Sequence, residues 1–181
     1  VTVSSMTQRF LRVHQMDKVK VAASISRSGQ KTLMFTRTKR MADKLVDQLN
    51  EQGVKAAAIH GDLRQSQREK SLADFTAGTL SVLVATDVAA RGIDVGGVTH
   101  VINYECPDDE KTYVHRIGRT GRAGESGVAV TLVDWEDLAR WAMIDRALKL
   151  PFASPLETYS TSEHIYKGLN IPESATGQLP R

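Results

Sequence analysis

At 181 residues the chain has the size of one globular domain with room for a short extension. Hydrophobic residues at 41%, charged residues at 25% and a net charge of only +3 supply material for a core and exclude a disordered or polyelectrolyte chain. No run approaches the roughly 18 consecutive apolar residues of a membrane helix, and no short apolar run follows a basic amino end as in a signal peptide.

In chain order, short apolar runs alternate with longer amphipathic stretches. FLRV near residue 10 predicts a first strand, and a helical pattern follows over about 16–27. TLMFT at 32–36 predicts a second strand and 39–52 a helix, in which Thr38 is placed to cap the start and Gly53 to follow the end. KAAAI at 55–59 and SVLVA at 81–85 flank a helical pattern over 65–77. HVIN at 100–103, a helical pattern over 109–117, GVAVTLV at 127–133 and a final helix over 135–148 complete the series, with Asp134 and Asp137 forming an acidic variant of a capping box. Helices spaced as crossovers between strands that are apolar without alternation predict an α/β fold: a three-layer sandwich with a mainly parallel sheet covered on both faces.

Residues 1–150 are expected to form the domain and 151–181, which hold four of the five prolines, an irregular carboxyl-terminal extension. The apolar side chains Phe152, Leu156, Tyr159, Ile165, Tyr166, Leu169 and Ile171 predict that this extension packs back onto the domain or onto a partner. Val1 in place of an initiating Met, together with the proline-flanked tail, leads to the expectation of a longer polypeptide. Cys106 is the single cysteine, which excludes an intrachain disulfide and multi-cysteine zinc frameworks and points to a reducing, cytoplasmic setting. Basic residues concentrate early: residues 1–55 hold 11 basic and 4 acidic side chains, a distribution that fits a polyanion-facing surface or a solvated helix face.

Ligands of open α/β sheets sit beyond the carboxyl ends of the strands, and there the sequence is rich in Gly, Arg and polar residues. HRIGRTGR, residues 115–122, spaces Arg116, Arg119 and Arg122 by three, so that three planar donor forks share one side of a helix start. Mutually repelling guanidiniums point to phosphate contact; the alternative is a salt-bridged surface helix. ATDVAARGIDV, residues 85–95, brings Thr86, Asp87, Arg91 and Asp94 into the crevice, with Asp94 able to accept from a sugar hydroxyl or simply to close a turn. In HGDLRQSQRE, residues 60–69, Gly61 permits close backbone approach and Gln65 and Arg68 lie one helical turn apart, where backbone amides suit a nucleic-acid phosphate; the plainer reading is an ordinary loop capped by Asp62. Thr38, beside Lys39 and Arg40, offers the same choice between phosphate contact and N-cap.

Together FTRTK (35–39), HGDLRQSQRE, ATDVAARGID and HRIGRTGR, in this order, resemble the carboxyl-terminal RecA-like domain of DEAD-box RNA helicases of superfamily 2, over residues 8–148. Within FTRTK, Thr36 and Arg37 occupy places where that family varies freely. The resemblance implies that Arg119 and Arg122 act as arginine fingers on the γ-phosphate of ATP, and that Arg91 and Asp94 belong to the nucleotide face. It implies further that His115 and Arg91 link to an amino-terminal RecA-like domain, and that Thr38, Gly61, Arg68 and Thr86 hold single-stranded or short duplex RNA by its backbone, with Gln65 supporting that loop. GQKT at 29–32 lacks the second glycine of a phosphate-binding P-loop, and no DEAD tetrapeptide is present, so ATP and Mg²⁺ are expected to be held mainly by the amino-terminal domain, with no metal site on this chain. A DNA-directed superfamily 2 translocase domain and a non-catalytic RNA-binding or protein-docking module are the alternatives.

Overall fold

The computed structural model describes residues 7–27, 31–91, 93, 95–120, 127–150 and 156–159. β1 (Thr7–Val13) passes through a tight turn into α1 (Lys18–Ser26), followed by β2 (Thr32–Thr36), α2 (Lys39–Glu51), β3 (Ala56–Ile59) and α3 (Gln65–Ala77). Then come β4 (Val82–Thr86), a short α4 (Asp87–Ala90), β5 (His100–Asn103), α5 (Glu110–Ile117), β6 (Val128–Val133), α6 (Leu138–Leu148) and β7 (Leu156–Thr158). The strands form one sheet in the order β3-β4-β2-β5-β6-β1-β7, every pair parallel. The three-layer α/β sandwich expected from the sequence, with a parallel sheet flanked by helices, is therefore the observed fold.

Parallel strands demand helical crossovers, and the helices fall on two faces. Leu45 and Leu49 of α2 and Val21 and Ile25 of α1 pack with Met34, Val84, Ile102 and Val130 on one face. Phe75 of α3 packs with Leu33, Phe35, Leu83 and Val101 on the other, where α5 and α6 add Tyr113, Ile117, Trp141 and Ile144 around Phe10. Alternate residues of the central strands thus enter opposite cores, which is why TLMFT and VLVAT read as nearly unbroken apolar runs.

The helix ends follow their capping chemistry. Thr38 is extended and its hydroxyl accepts from the Met41 amide at 3.1 Å, while Gly53 takes the left-handed φ of 82° beyond α2. Asp134 accepts from the Asp137 amide at 3.1 Å, but the first turn it starts, Trp135–Asp137, is of 3-10 type.

Two elements differ from the sequence reading. The four-residue α4 carries no period long enough to recognise. Leu156–Thr158, within the stretch expected to be irregular, is a strand on the edge of the sheet beside β1, too short for an alternating pattern and placed by pairing alone. Thr158 is buried there and Tyr159 is half exposed. Phe152, Ile165, Tyr166, Leu169 and Ile171 lie outside the described residues.

Candidate functional site

The register of the sheet decides which loops meet. Thr36 of β2 lies opposite Thr86 of β4, and Phe35 lies opposite both Ala85 and Asn103, so the segments that follow these strands leave from one level of the carboxyl edge. Beyond that edge a crevice of about 540 Å³ is lined by Asp87, Arg91, His115, Arg116 and Arg119, with Phe35 beneath.

The arginines do not share one role. Arg116 is 1% exposed and donates to both carboxylate oxygens of Asp87, at 2.8 and 2.9 Å, to the Glu105 carbonyl at 2.8 Å and to Asn103 Oδ1 at 3.3 Å, with its guanidinium 5.3 Å from the Phe35 ring centroid. The expectation that it presents a fork to phosphate is corrected: all three nitrogens of that fork donate within the protein, through four of its five N–H groups. A buried guanidinium requires such partners, and here they fasten α5 to α4 and to β5. Arg119, one turn on and partly exposed, donates to the Ile93 carbonyl at 2.9 Å. Arg91 and His115 are exposed on the same lining. Asp94 and Arg122 lie outside the described residues.

A second group borders β2 and β3. The Thr38 hydroxyl spends a lone pair on the Met41 amide and keeps its own proton for another acceptor. Asp62 does not cap α3; that start is closed by the Gln67 side chain accepting from the Arg64 amide at 3.1 Å. Asp62 instead accepts from Lys39 at 2.8 Å, a hydrogen bond that holds its carboxyl below the usual carboxylate range. Gln65 donates to Glu69 at 3.3 Å. Arg68 makes no ion pair among the described residues, and Gly61 is exposed at the loop's tip. Thr86 begins α4 without a side-chain cap bond.

Part of the early positive charge is internal. Lys18 is 2% exposed and sits 3.3 Å from Asp134 and 3.1 Å from the Tyr104 carbonyl. Arg37 donates to the Cys106 carbonyl at 2.8 Å and to Asp137 at 3.1 Å. Burial opposes the Arg37 charge, but Asp137, Glu105 and Asp108 outweigh it and raise its pKa. Arg37 of FTRTK is thus a half-buried strut. Lys39, Arg40 and Lys44 remain exposed on α2, so the basic surface is narrower than the residue count suggests. Among the described residues no cluster of three His, Cys, Asp or Glu side chains is placed to hold a metal, and no helix is long and apolar enough to cross a membrane.

Residues 4–124 match the family described as helicase conserved C-terminal domain, and the chain belongs to that family. It is a carboxyl-terminal RecA-like domain of the DEAD-box RNA helicase type. The DEAD-box ATP-dependent RNA helicase CshA of Geobacillus kaustophilus is 44% identical over 151 residues, which cover 82% of this chain and 32% of that protein. The chain therefore spans about a third of such curated relatives. The Escherichia coli DEAD-box protein SrmB, solved bound to the regulator RraA, is 30% identical with a TM-score of 0.75, over 93% of this chain and 95% of that one. Saccharomyces cerevisiae Dbp5 bound to RNA and ADP BeF3 is 29% identical with a TM-score of 0.79, over 93% of this chain and 46% of that one.

Proposed function

We propose that the chain is the second core domain of an ATP-dependent DEAD-box RNA helicase, completing a composite ATP site and holding RNA by its sugar-phosphate backbone. The observation that carries this reading is the crevice lined by Arg91, His115 and Arg119, where Asp87, the one lining carboxylate among the described residues, is already neutralised by Arg116. Such a lining suits a triphosphate and does not suit Mg²⁺, whose carboxylate ligands we assign to the amino-terminal core domain. Arg119 and Arg122 would meet the γ-phosphate of ATP held mainly by that domain, a contribution worth about 10³ to 10⁵ in rate in related phosphoryl transfers. Arg91 and His115 would join the acidic motif of the amino-terminal domain, and Asp94 the nucleotide's ribose.

RNA would cross the neighbouring edge. The Thr38 and Thr86 hydroxyls, the Gly61 amide and the Arg68 guanidinium are donors suited to phosphate and sugar oxygens, with Gln65 supporting the loop; such contacts position a strand without reading its sequence. Closure of the two domains is then a rigid-body population shift driven by contacts that ATP and RNA make only in the closed form. Dbp5, solved with RNA and ADP BeF3, supports the pairing of these two ligands on this fold.

The test is phosphate release from ATP with Mg²⁺ and single-stranded RNA, by this chain alone and after joining it to an amino-terminal core domain. Silence alone and RNA-stimulated turnover when joined are expected; robust turnover by the isolated chain contradicts the reading.

A further inference from the structure

We propose that His60 is a positioning residue for RNA, a buried brace that fixes the turn carrying the Gly61 amide; this rests on the reading of residues 60–68 as an RNA backbone contact. His60 follows the last residue of β3 and is 3% exposed, although the chain turns into solvent at the next residue. A buried imidazole must satisfy both nitrogens. Nε2 lies 2.8 Å from Asp43 Oδ1 on α2, and Nδ1 lies 3.3 Å from the Asp62 amide nitrogen. The amide can only donate, so Nδ1 carries no proton and Nε2–H is given to Asp43, which leaves one tautomer and one ring orientation.

The ring's partners are Asp43 and the Asp62 amide, and with the Lys39–Asp62 pair they tie the loop to a single turn of α2. Lys39, directly after Thr38, reaches Asp62 at 2.8 Å, and Asp43, four residues further on, lies 2.8 Å from His60. The Lys39–Asp62 pair is exposed on both sides and therefore a weak strap. His60 is the rigid one.

The loop's amides show what is being held. Leu63 N–H donates to the His60 carbonyl at 3.3 Å, Arg64 N–H to Gln67 and Asp62 N–H to His60. Among the described residues, the Gly61 amide is the one in this turn with no protein acceptor. A Cβ built on Gly61 meets nothing within 4 Å, and its φ does not lie in the left-handed region, so the fold does not require glycine there. The absent side chain leaves the amide open to an incoming oxygen, and a donor fixed in advance loses least on binding.

The experiment measures RNA-stimulated ATP turnover of the two-domain protein against single-stranded oligouridine, with thermal unfolding recorded for each variant. His60→Gln places its amide near the former Nε2, keeps Asp43 and loses Asp62. It is expected to raise the KM for RNA about five- to tenfold, the scale of one net hydrogen bond, with kcat at saturating RNA within about twofold. His60→Asn, whose oxygen sits near the former Nδ1 but which no longer reaches Asp43, is expected to bring that KM back to within about threefold of the parent. Asp43→Asn, at a position 59% exposed, supplies the measurement if His60→Gln does not fold, with a KM increase of about threefold. Gly61→Ala is the control for the contact itself. A raised RNA KM in Gly61→Ala with an unchanged one in His60→Gln and Asp43→Asn overturns the brace, as does a fall in kcat alone. An unchanged KM in Gly61→Ala overturns the RNA reading of the loop and the brace with it.

Discussion

Arg116 is the side chain whose removal separates architecture from chemistry most sharply. Arg116→Met keeps the apolar stem over Phe35 and deletes the fork. The half-buried Glu105 carbonyl and the buried Asn103 Oδ1, which receive Arg116 Nη1 at 2.8 and 3.3 Å, then lose a donor, at about 1–3 kcal/mol each. Asp87 loses both of its bonds, but its side chain is 37% exposed and water recovers part of that loss. The expected destabilisation is about 4 kcal/mol, within the range for breaking one partner of a buried pair. Urea unfolding followed by circular dichroism measures it. The further change Asp87→Leu removes the stranded carboxylate and is expected to restore about 1 kcal/mol or more, because loss of both charges costs less than loss of one. A cost below about 1 kcal/mol for Arg116→Met would show that the guanidinium is solvated and available to a ligand, and would refute the assignment.

Thr38 carries a cap and a contact that can be pulled apart. Thr38→Asp caps α2 as well as threonine, so stability is expected within about 0.5 kcal/mol of the parent, while the negative charge raises the KM for RNA about tenfold or more; equal RNA binding would remove Thr38 from the interface. The Cys106 thiol is pushed up to about 12, chiefly by burial and further by Asp137, against the opposing pull of Arg37, Arg140 and Arg116. The folded state therefore favours the neutral thiol, a stabilisation present at neutral pH and lost as pH rises beyond the ordinary thiol value toward that figure. Iodoacetamide at pH about 8 is expected to leave Cys106 unmodified until urea unfolds the chain, as read by mass spectrometry; rapid labelling of the native protein contradicts its burial.

Most of the sheet was legible because parallel strands buried on both faces leave apolar runs such as TLMFT and VLVAT, and because Thr38, Gly53 and Asp134 mark helix ends by local chemistry. α4 and β7 were not, since four and three residues are too few to show a period and β7 is fixed by its neighbour β1. In the site, spacing brought Arg116 and Arg119 to the same crevice but did not tell them apart. That difference depends on Asp87 and Asn103, 29 and 13 residues away in sequence, which the register of β4 and β5 brings beneath α5. Arg37 and Lys18 show the same limit: their partners Asp137 and Asp134 arrive from the other end of the chain. The position of His60 within HGDLRQSQRE carries no sign of its role, because its partner Asp43 lies on the preceding helix.

The most direct test of the composite site is Arg119→Ala in the two-domain protein, with ATP turnover at saturating RNA compared with the parent. A loss of about 10³ or more in kcat is expected, with urea stability within about 2 kcal/mol, since Arg119 is partly exposed and the Ile93 carbonyl is among its partners. Turnover within about twofold of the parent would mean that the chain contributes no arginine from this position to the γ-phosphate, and would contradict the proposed division of the site between two domains.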